Sequence, residues 1–481
     1  MVGHVMEIRA DRLAWVRRIA DEVERTKRIT TLGADAVLVN HPDVLQELLV
    51  EKARHFDKAQ MVRFALYPLA GEGLFTSRGD LWRKQRKIMA PMFHVSQMRG
   101  YAADMAACTD RWIRDWKDGD RVELSRETTR ITMSVAGKTL FDAETFTDAD
   151  AIGEALTVAL AWTDENAPSW NAIAHVAARR AGLYFGERWR QPWLVEGSRR
   201  YEYPRHFPGE GGRRLKAAIA LLDAQVAKMI ADRRRNPQAA PDLLSRLLHA
   251  RDEDDGTGMT DKQVRDEVLT LFVAGHETTA TGLAWALHCL CNHPEIYARV
   301  EAEVDALGRE PTFDDLPRLG LTLRVFREAL RLYPPVYVFS RQACQATSLD
   351  GYDIEKNTVV ILSPWALHRR PDLFPEPERF DPDRFLPEVE QARPKLSWLP
   401  FGAGPRVCIG NQFAMMEGQI VLAKLLRHAR FEPIGVDTPD PGATLRPRGH
   451  MPMRVHLRPR LAAEARVGRE AAPCSGVPSG L

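Results

Sequence analysis

A single cysteine stands in the glycine-rich stretch FGAGPRVCIG, residues 401–410, directly before a segment with helical periodicity. Glycines at this density permit tight bends and close approach by another group, so this stretch restricts the fold more than any other. Two interpretations of Cys408 are open. It is either a small buried apolar residue, as free cysteines usually are, or a thiolate that the bend presents to a ligand. The start of the following helix, near Gly410, would stabilise a thiolate through its free N–H groups and its dipole.

Helical periodicity dominates the rest of the 481-residue chain. The longest predicted helix covers 261–292, and strand patterns occur mainly in 336–364 and 443–458, besides a short hairpin near the start. The sequence therefore predicts a mostly α protein with a small β part. Nothing in 1–458 indicates a linker, so we expect a single domain. Residues 459–481 are rich in Gly, Pro, Ala and Ser and are predicted to be disordered.

Composition excludes several classes of function. A formal net charge of +2 gives no reason to expect nucleic acid as a partner. The six cysteines are scattered without metal-ligand or disulfide spacing, which favours a reducing compartment. The longest apolar region, 268–291, is interrupted by His276 and Glu277, which favours a buried helix over a membrane span. We therefore expect a cytoplasmic protein without stable membrane insertion.

Polar residues interrupt the long predicted helix in AGHETT, residues 274–279. Thr278 lies four residues after Ala274, so both side chains share a face, and its hydroxyl can bond the carbonyl one turn back. One interpretation is a kinked core helix with a satisfied threonine. The other is a polar notch beside a cavity, in which Glu277 and Thr278 pass on protons.

Two charged patterns also have an ordinary and a functional interpretation. Glu328 and Arg331 lie three residues apart in EALR, as solvated helical pairs often do. With Arg379 in FPEPERF they would instead form a buried network, stable only if every member is paired. Trp82 and Arg86 share one face of WRKQRK, which is either a solvated basic helix or a grip on a buried anion.

Taken together, these motifs resemble those of the cytochrome P450 family of haem-thiolate monooxygenases. FGAGPRVCIG resembles the haem-binding loop, AGHETT the oxygen-activation motif, EALR with PERF the glutamate–arginine–arginine network, and WRKQR the haem-propionate helix. Their order and separations fit over about residues 1–458. The resemblance implies the family fold, a helix-rich triangular prism with a long central helix over haem b. His276 occupies the variable position of its motif and is assigned no catalytic role.

The resemblance also implies roles for individual residues. Cys408 would be the axial ligand of the haem iron, with Phe401 packed near its sulfur. Thr278 and Glu277 match the family's acid–alcohol pair, which delivers the protons needed for O–O cleavage. The other implied cofactor-binding residues are Arg406, Arg341, Arg86 and Trp82 at the propionates, with Gly402, Gly410 and Ala274 beside the porphyrin.

The activity implied by the resemblance is insertion of one atom of O2 into a lipophilic molecule, with fatty acids, terpenoids and polyketides as candidate classes. Because the chain has no flavin or iron–sulfur domain, electrons would come from a ferredoxin or flavodoxin with its NAD(P)H reductase. A peroxide-driven haem-thiolate enzyme and a haem sensor or carrier without turnover are the alternatives. Both rank lower, because neither needs the acid–alcohol pair of Glu277 and Thr278 that this chain keeps.

The same resemblance outlines a substrate pocket. Its apolar walls would come from residues 61–74, from Val273 and Ala274, and from VYVF at 336–339, with the region near Met451 closing it.

Two further expectations concern the access channel and the chain start. Residues 183–207 would form a lid, for which a loop packed on its own domain is preferred over a membrane-touching entrance. Family members usually open with a proline-rich segment, and VGHVMEI resembles the part that follows it. The sequence therefore predicts that the natural start lies upstream of Met1.

Overall fold

A computed structural model describes residues 11–31, 34–141, 149–166, 209–236, 242–251, 256–435 and 437–458, together with Glu7 and a few positions between 178 and 196. Helices predominate and the sheets are small, which confirms the predicted fold class. The predicted tail at 459–481 and most of the predicted lid at 183–207 lie outside the described residues. Within the described part of the chain, no helix is long and apolar enough to cross a membrane.

The described α-helices are numbered in chain order, starting from a short N-terminal helix. They are α1 (Arg12–Glu22), α2 (Pro42–Gln46), α3 (Gln60–Ala70), α4 (Gly79–Met89), α5 (Val95–Ile113), α6 (Leu124–Phe141), α7 (Ala149–Asn166), α8 (Gly209–Arg235), α9 (Leu243–His249), α10 (Asp261–Cys291), α11 (Pro294–Asp305), α12 (Gly320–Leu332), α13 (Pro364–Leu367), α14 (Pro387–Gln391) and α15 (Asn411–His428).

The described strands are short and lie towards the two ends of the chain. They are β1 (Thr26–Thr31), β2 (Ala34–Val39), β3 (Phe56–Lys58), β4 (Arg121–Glu123), β5 (Phe339–Ala343), β6 (Thr347–Leu349), β7 (Tyr352–Ile354), β8 (Val359–Leu362), β9 (Ala429–Pro433), β10 (Pro439–Pro441), β11 (Leu445–Pro447) and β12 (Pro452–Leu457).

The long helix α10 is the centre of the fold. It begins at a capping box, in which Gln263 N donates to Thr260 Oγ1 at 3.2 Å and Thr260 N donates to Gln263 Oε1 at 2.8 Å. It then runs without interruption for 31 residues. Apolar residues are buried along most of its length because α3, α6, α8, α12 and α15 pack around it.

Close packing fixes the helix that follows the cysteine loop. At Gly418 of α15, a Cβ would overlap the ring of Phe326 on α12. At Gly282 of α10, a Cβ would lie 3.0 Å from Leu330 of the same helix α12. The two glycines therefore let the buried Phe326 wedge between α10 and α15. This contact sets the position of the Cys408 loop relative to the central helix.

The main sheet joins distant parts of the chain in the order β1–β2–β8–β5–β3. Its strands are antiparallel except for the parallel pair β2 and β8, and β1–β2 is the hairpin that the sequence predicts. In the β3–β5 register Lys58 stands opposite Arg341. A second sheet, β4–β12–β9, closes the other end of the chain onto α6.

Candidate active site

The loop before α15 turns sharply, and glycine permits each turn. Gly402 and Gly404 both have φ near +68°, a conformation that other residues rarely adopt. At Gly404 a Cβ would also overlap the carbonyl oxygen of Leu49, so only glycine fits there. The chain then folds back, with Cys408 N donating to Phe401 O at 2.9 Å. The Phe401 ring packs edge-to-face on a neighbouring tryptophan, 6.1 Å between ring centres.

The Cys408 side chain is accessible although protein surrounds it. Desolvation by that protein raises the pKa of the thiol, while the Gly410 N–H, which donates to the sulfur, and the nearby Arg86 charge lower it. Accessibility combined with desolvation is expected of a group on the wall of an internal space. Coordination to a metal deprotonates such a thiol outright. The geometry therefore favours the ligand interpretation of Cys408 over the packing interpretation.

Cations from three separate elements meet beside this loop. Arg406 Nη2 contacts Asp57 Oδ1 at 2.6 Å, while its Nη1 is buried without a hydrogen-bond partner. Desolvation, and then the charge of Arg406, lowers the pKa of Arg341 to about 10. The same two causes lower the pKa of Lys58 well below its usual value. Asp57 partly offsets this crowding by raising the pKa values of all three cations, and a carboxylate ligand at this cluster would be strongly favoured.

The sequence predicts that Trp82 and Arg86 of α4 both bind the propionates, but the two side chains contact different groups. The guanidinium of Arg406 lies over the Trp82 ring, 4.1 Å from its centre, in a cation–π contact. Arg86 instead lies close enough to Cys408 for the charges to interact. An accessible thiol beside a desolvated cation cluster with a spare donor is the set that a haem with two propionates requires. The residues present therefore fit a haem.

The middle of α10 is more open than the turns on either side of it. Val273, Ala274 and Gly275 are half-buried, and so are Glu277 and Thr278, between the fully buried stretches 266–272 and 279–287. Such an opening is expected of a helix that borders a cavity.

Both polar residues of this opening are anchored. Thr278 Oγ1 donates to Ala274 O at 2.8 Å, as the spacing predicts. Glu277 Oε1 accepts from Thr444 Oγ1 at 3.0 Å, a contact from the chain just before β11. The helix is not broken at the motif, because the hydroxyl supplements the backbone bonds without replacing them.

His276 faces the core and serves the structure. It is 2% exposed, its Nδ1 lies 2.7 Å from Phe272 O, and its own carbonyl accepts from Thr132 Oγ1 at 3.0 Å. Desolvation lowers the pKa of the ring, so it is neutral. This position agrees with the prediction that His276 has no catalytic role.

The predicted glutamate–arginine network is wrong in its second arginine. Glu328 and Arg331 are fully buried and form two side-chain bonds, at 2.6 and 2.8 Å. Arg379, however, has 62% of its side chain exposed and pairs with Glu376. Arg384 takes its place, 9% exposed, with its Nε 3.4 Å from Glu328 Oε1. The physical reason is that the turn at Arg379 contributes only its backbone carbonyl to Arg331.

Sequence analysis missed four residues that the fold brings to the site. PDRF at 382–385 repeats the PERF pattern, so a signal for its arginine existed in the sequence. No local signal marks the other three, which reach the site through strand pairing and helix packing. The four are Arg384, Lys58, Thr444 and Glu417, the last of which is buried on α15 beside Thr279 of α10.

The predicted pocket segments are only partly accessible. Within VYVF, Val336 and Val338 are half-buried, whereas Tyr337 points into the core and donates to Pro441 O at 3.3 Å. Met451 has left-handed φ and is fully buried in the main apolar core. Burial alternates in the segment just before β5, so the two valines, rather than Tyr337, are the accessible residues.

Comparison with known proteins agrees with the fold. The family model described as "Cytochrome P450" matches residues 1–449. The crystal structure of the cytochrome P450DA heme domain is similar, with a TM-score of 0.78 and 27% identity, covering 95% of this chain and 96% of that chain.

Relatives from Streptomyces are similar over most of their length. Cyclooctat-9-en-7-ol 5-monooxygenase of Streptomyces melanosporofaciens is 36% identical over 85% of this chain and 82% of its own. Pentalenene oxygenase of Streptomyces avermitilis is 31% identical over 95% of both chains. The chain therefore belongs to the cytochrome P450 family. It is an oxidoreductase of the monooxygenase type, and its family uses a haem cofactor, O2 and redox partners.

Proposed function

We propose that this monooxygenase inserts one atom of O2 into a terpenoid and reduces the other atom to water. The substrate class rests on the relatives, whose names describe the oxidation of cyclooctat-9-en-7-ol and pentalenene, both terpenoids. The half-buried apolar residues Val273, Ala274, Val336 and Val338 support a lipophilic ligand. Fatty acids and polyketides, the other candidate classes, have no such support among these relatives.

The cofactor that we propose is haem b. Cys408 would ligate its iron, and thiolate ligation would supply the electron density that favours O–O cleavage. Arg406, Arg341 and Lys58 would bind the propionates, and a propionate oxygen would accept from the Arg406 Nη1 that is buried without a hydrogen-bond partner. Trp82 holds the Arg406 guanidinium in place through the cation–π contact with its ring.

Proton delivery is the task of the acid–alcohol pair. Thr278 holds a proton on its Oγ1 at the opening of α10, where the Ala274 carbonyl fixes the hydroxyl's resting direction. Thr444 orients the Glu277 carboxyl. That carboxyl then supplies the proton that replaces the one lost from Thr278. This anchored, half-buried pair is the observation that carries the proposal. A peroxide-driven enzyme or a haem carrier would not need it.

Electrons enter from an acidic ferredoxin or flavodoxin that an NAD(P)H reductase keeps reduced. Helix α4 carries Trp82 and Arg86 on its inner side, whereas Arg83 and Lys87 are exposed on its outer side. Charge complementarity at such a surface speeds encounter more than it strengthens binding.

The experiment that tests the function combines binding and turnover. Cyclic terpenoids, fatty acids and polyketide-like compounds are screened for spectral shifts of the haem. Ligands are then incubated with surrogate ferredoxin, reductase, NADPH and isotopically labelled O2. We expect a terpenoid product that gains one labelled oxygen atom. Turnover of fatty acids alone would overturn the substrate class, and turnover with peroxide but not with NADPH would overturn the monooxygenase cycle.

A further inference from the structure

A cleft lies between α3, α8 and the first turns of α10, and the residues that line it are not among those assigned to the haem. Its volume is about 700 Å³. Pockets that hold small molecules in proteins usually have volumes of about 300–1,000 Å³. The cleft is therefore large enough for one small molecule of terpenoid size.

The cleft is separate from the opening in the middle of α10. Asp266 is the last residue of α10 that lines the cleft, and it precedes Val273 by about 10 Å along the helix axis. Next to Asp266, the chain that leaves α3 closes onto α10. At Gly71 a Cβ would overlap the Asp266 carboxyl group, and Glu72 N donates to Asp266 Oδ2 at 2.9 Å. These contacts divide the cleft from the proposed substrate pocket.

Apolar side chains form most of the surface of the cleft. Helix α8 contributes Ile219, Ala227, Ile230 and Ala231, which share one face because they recur at helical spacing. Pro68 of α3 adds to the apolar surface. Ala227 and Ala231 are exposed, and their short side chains leave room in the cleft. Surface of this kind favours a lipophilic ligand, because binding removes apolar area from water.

The charged side chains of the cleft are paired with one another. They form four ion pairs, which are Arg265–Asp223, Arg265–Asp266, Lys262–Asp266 and Arg234–Asp261. The Asp266 side chain is only 2% exposed, and its two oxygens lie 2.9 Å from Arg265 Nη1 and 2.5 Å from Lys262 Nζ. An ionic ligand would have to break one of these pairs and would leave a charge without its partner. The cleft therefore favours a neutral ligand.

We propose that this cleft binds a second, neutral lipophilic molecule of terpenoid size, while the substrate pocket at the haem holds its own ligand. The proposal goes beyond the proposed function, because a molecule in the cleft lies apart from the groups assigned to haem binding and proton delivery. Its chemical class follows from the apolar surface and the paired charges of the cleft. It does not depend on which molecule the enzyme oxidises.

Equilibrium dialysis of the haem-loaded protein against cedrol, a neutral sesquiterpene alcohol, tests this proposal. An azole that ligates the iron first fills the substrate pocket, and the haem spectrum shows that the azole stays bound. We expect the wild type still to bind one equivalent of cedrol per haem under these conditions. Failure of the proposed function would show differently, as the lack of any terpenoid-induced spectral shift in the protein without azole.

Two variants test whether the cedrol binds in the cleft. Ala231→Trp and Ala227→Trp each place an indole there from an exposed position of α8, so each should weaken cedrol binding to the azole-bound protein at least about tenfold. The control Ala217→Trp changes an exposed residue of α8 that does not line the cleft, and it should bind cedrol as the wild type does.

The azole-bound haem spectrum shows that each variant is folded. A wild type that binds no cedrol beside the azole would overturn the proposal. So would folded Ala231→Trp and Ala227→Trp proteins that bind cedrol as tightly as the wild type.

Discussion

A substitution at Thr278 tests the proposed proton delivery most directly. Thr278→Ala removes a hydroxyl but leaves the apolar wall at Ala274 intact, so substrate should bind almost as before. Coupling should fall, with NADPH consumed and peroxide released, because general acid steps typically contribute about 10²- to 10⁴-fold. The measurement is product and peroxide formed per NADPH oxidised.

A matched control exists on another helix. Thr139 of α6 also donates to the carbonyl four residues back, Val135 O, at 2.7 Å, but it is buried away from the opening of α10. Thr139→Ala should keep full coupling. Full coupling in Thr278→Ala as well would remove that hydroxyl from proton delivery.

The two arginines of the PERF region give a second test with a built-in control. Arg384→Ala removes a buried cation beside Glu328 and should lower the free energy of unfolding by about 1.5–3 kcal/mol. Arg379→Ala changes an exposed pair and should alter it by no more than about 0.5 kcal/mol. Urea unfolding of the haem-loaded proteins measures both. Equal losses would return Arg379 to the network.

Among the elements, α4 carries the test of electron entry. Arg83 and Lys87 are exposed, and Arg83 pairs with Asp80 of its own helix. Reversing either charge to glutamate should slow reduction by a ferredoxin, most at low ionic strength where screening is weak. Haem content and substrate affinity should stay unchanged. Stopped-flow reduction at two salt concentrations measures the effect, and Lys216→Glu, on exposed α8, is the control.

Unchanged rates in the α4 variants at low salt would place the docking site elsewhere. The end of α15 offers two charges fewer than its sequence suggests, since Arg427 has only 11% of its side chain exposed and pairs with Glu310 at 2.8 Å. Lys424 is 1% exposed and is held by Asp110 at 2.8 Å and Glu310 at 2.5 Å. Lys84 of α4 is half-buried and donates to Thr257 Oγ1 at 2.7 Å, so its reversal would also disturb the fold.

Elements with strong local signals were predictable, and those with mixed signals were not. Helix α10 follows from its capping box and apolar length, and the hairpin β1–β2 from alternation around a turn. Helix α3 was missed, because Pro68 within it disfavours a helix and because the glycines after it indicate a loop. Burial of Phe64 and Leu69 against the core outweighs those local preferences.

At the scale of the whole molecule, the proposed site depends on pairings that no local pattern contains. Motifs were sufficient to propose Cys408, Arg406 and Thr278 as site residues. Lys58 reaches the cation cluster only because β3 pairs with β5, which carries Arg341. Thr444 reaches Glu277 from a loop near the other end of the chain. Sequence reasoning from one chain has no means to establish such long-range contacts.

The choice between Arg379 and Arg384 illustrates the same limit. Both lie in nearly identical patterns, PERF and PDRF, and the residue type alone does not distinguish them. Only the fold separates them, since the turn at Glu376 directs Arg379 to solvent and Arg384 back to Glu328. The prediction therefore chose the wrong one of two similar arginines, whereas a buried glutamate shared by two arginines is what the structure contains.

The central claim is that the thiolate of Cys408 holds the haem iron, and the spectrum of the reduced, CO-bound protein tests it most directly. The wild type should absorb at the long-wavelength position that marks a thiolate ligand opposite CO. Cys408→His should lose that band, because imidazole is a different axial ligand. Cys289→Ser, a change at a buried cysteine of α10, should keep it. A Cys408→His protein that retained the thiolate band would contradict the assignment.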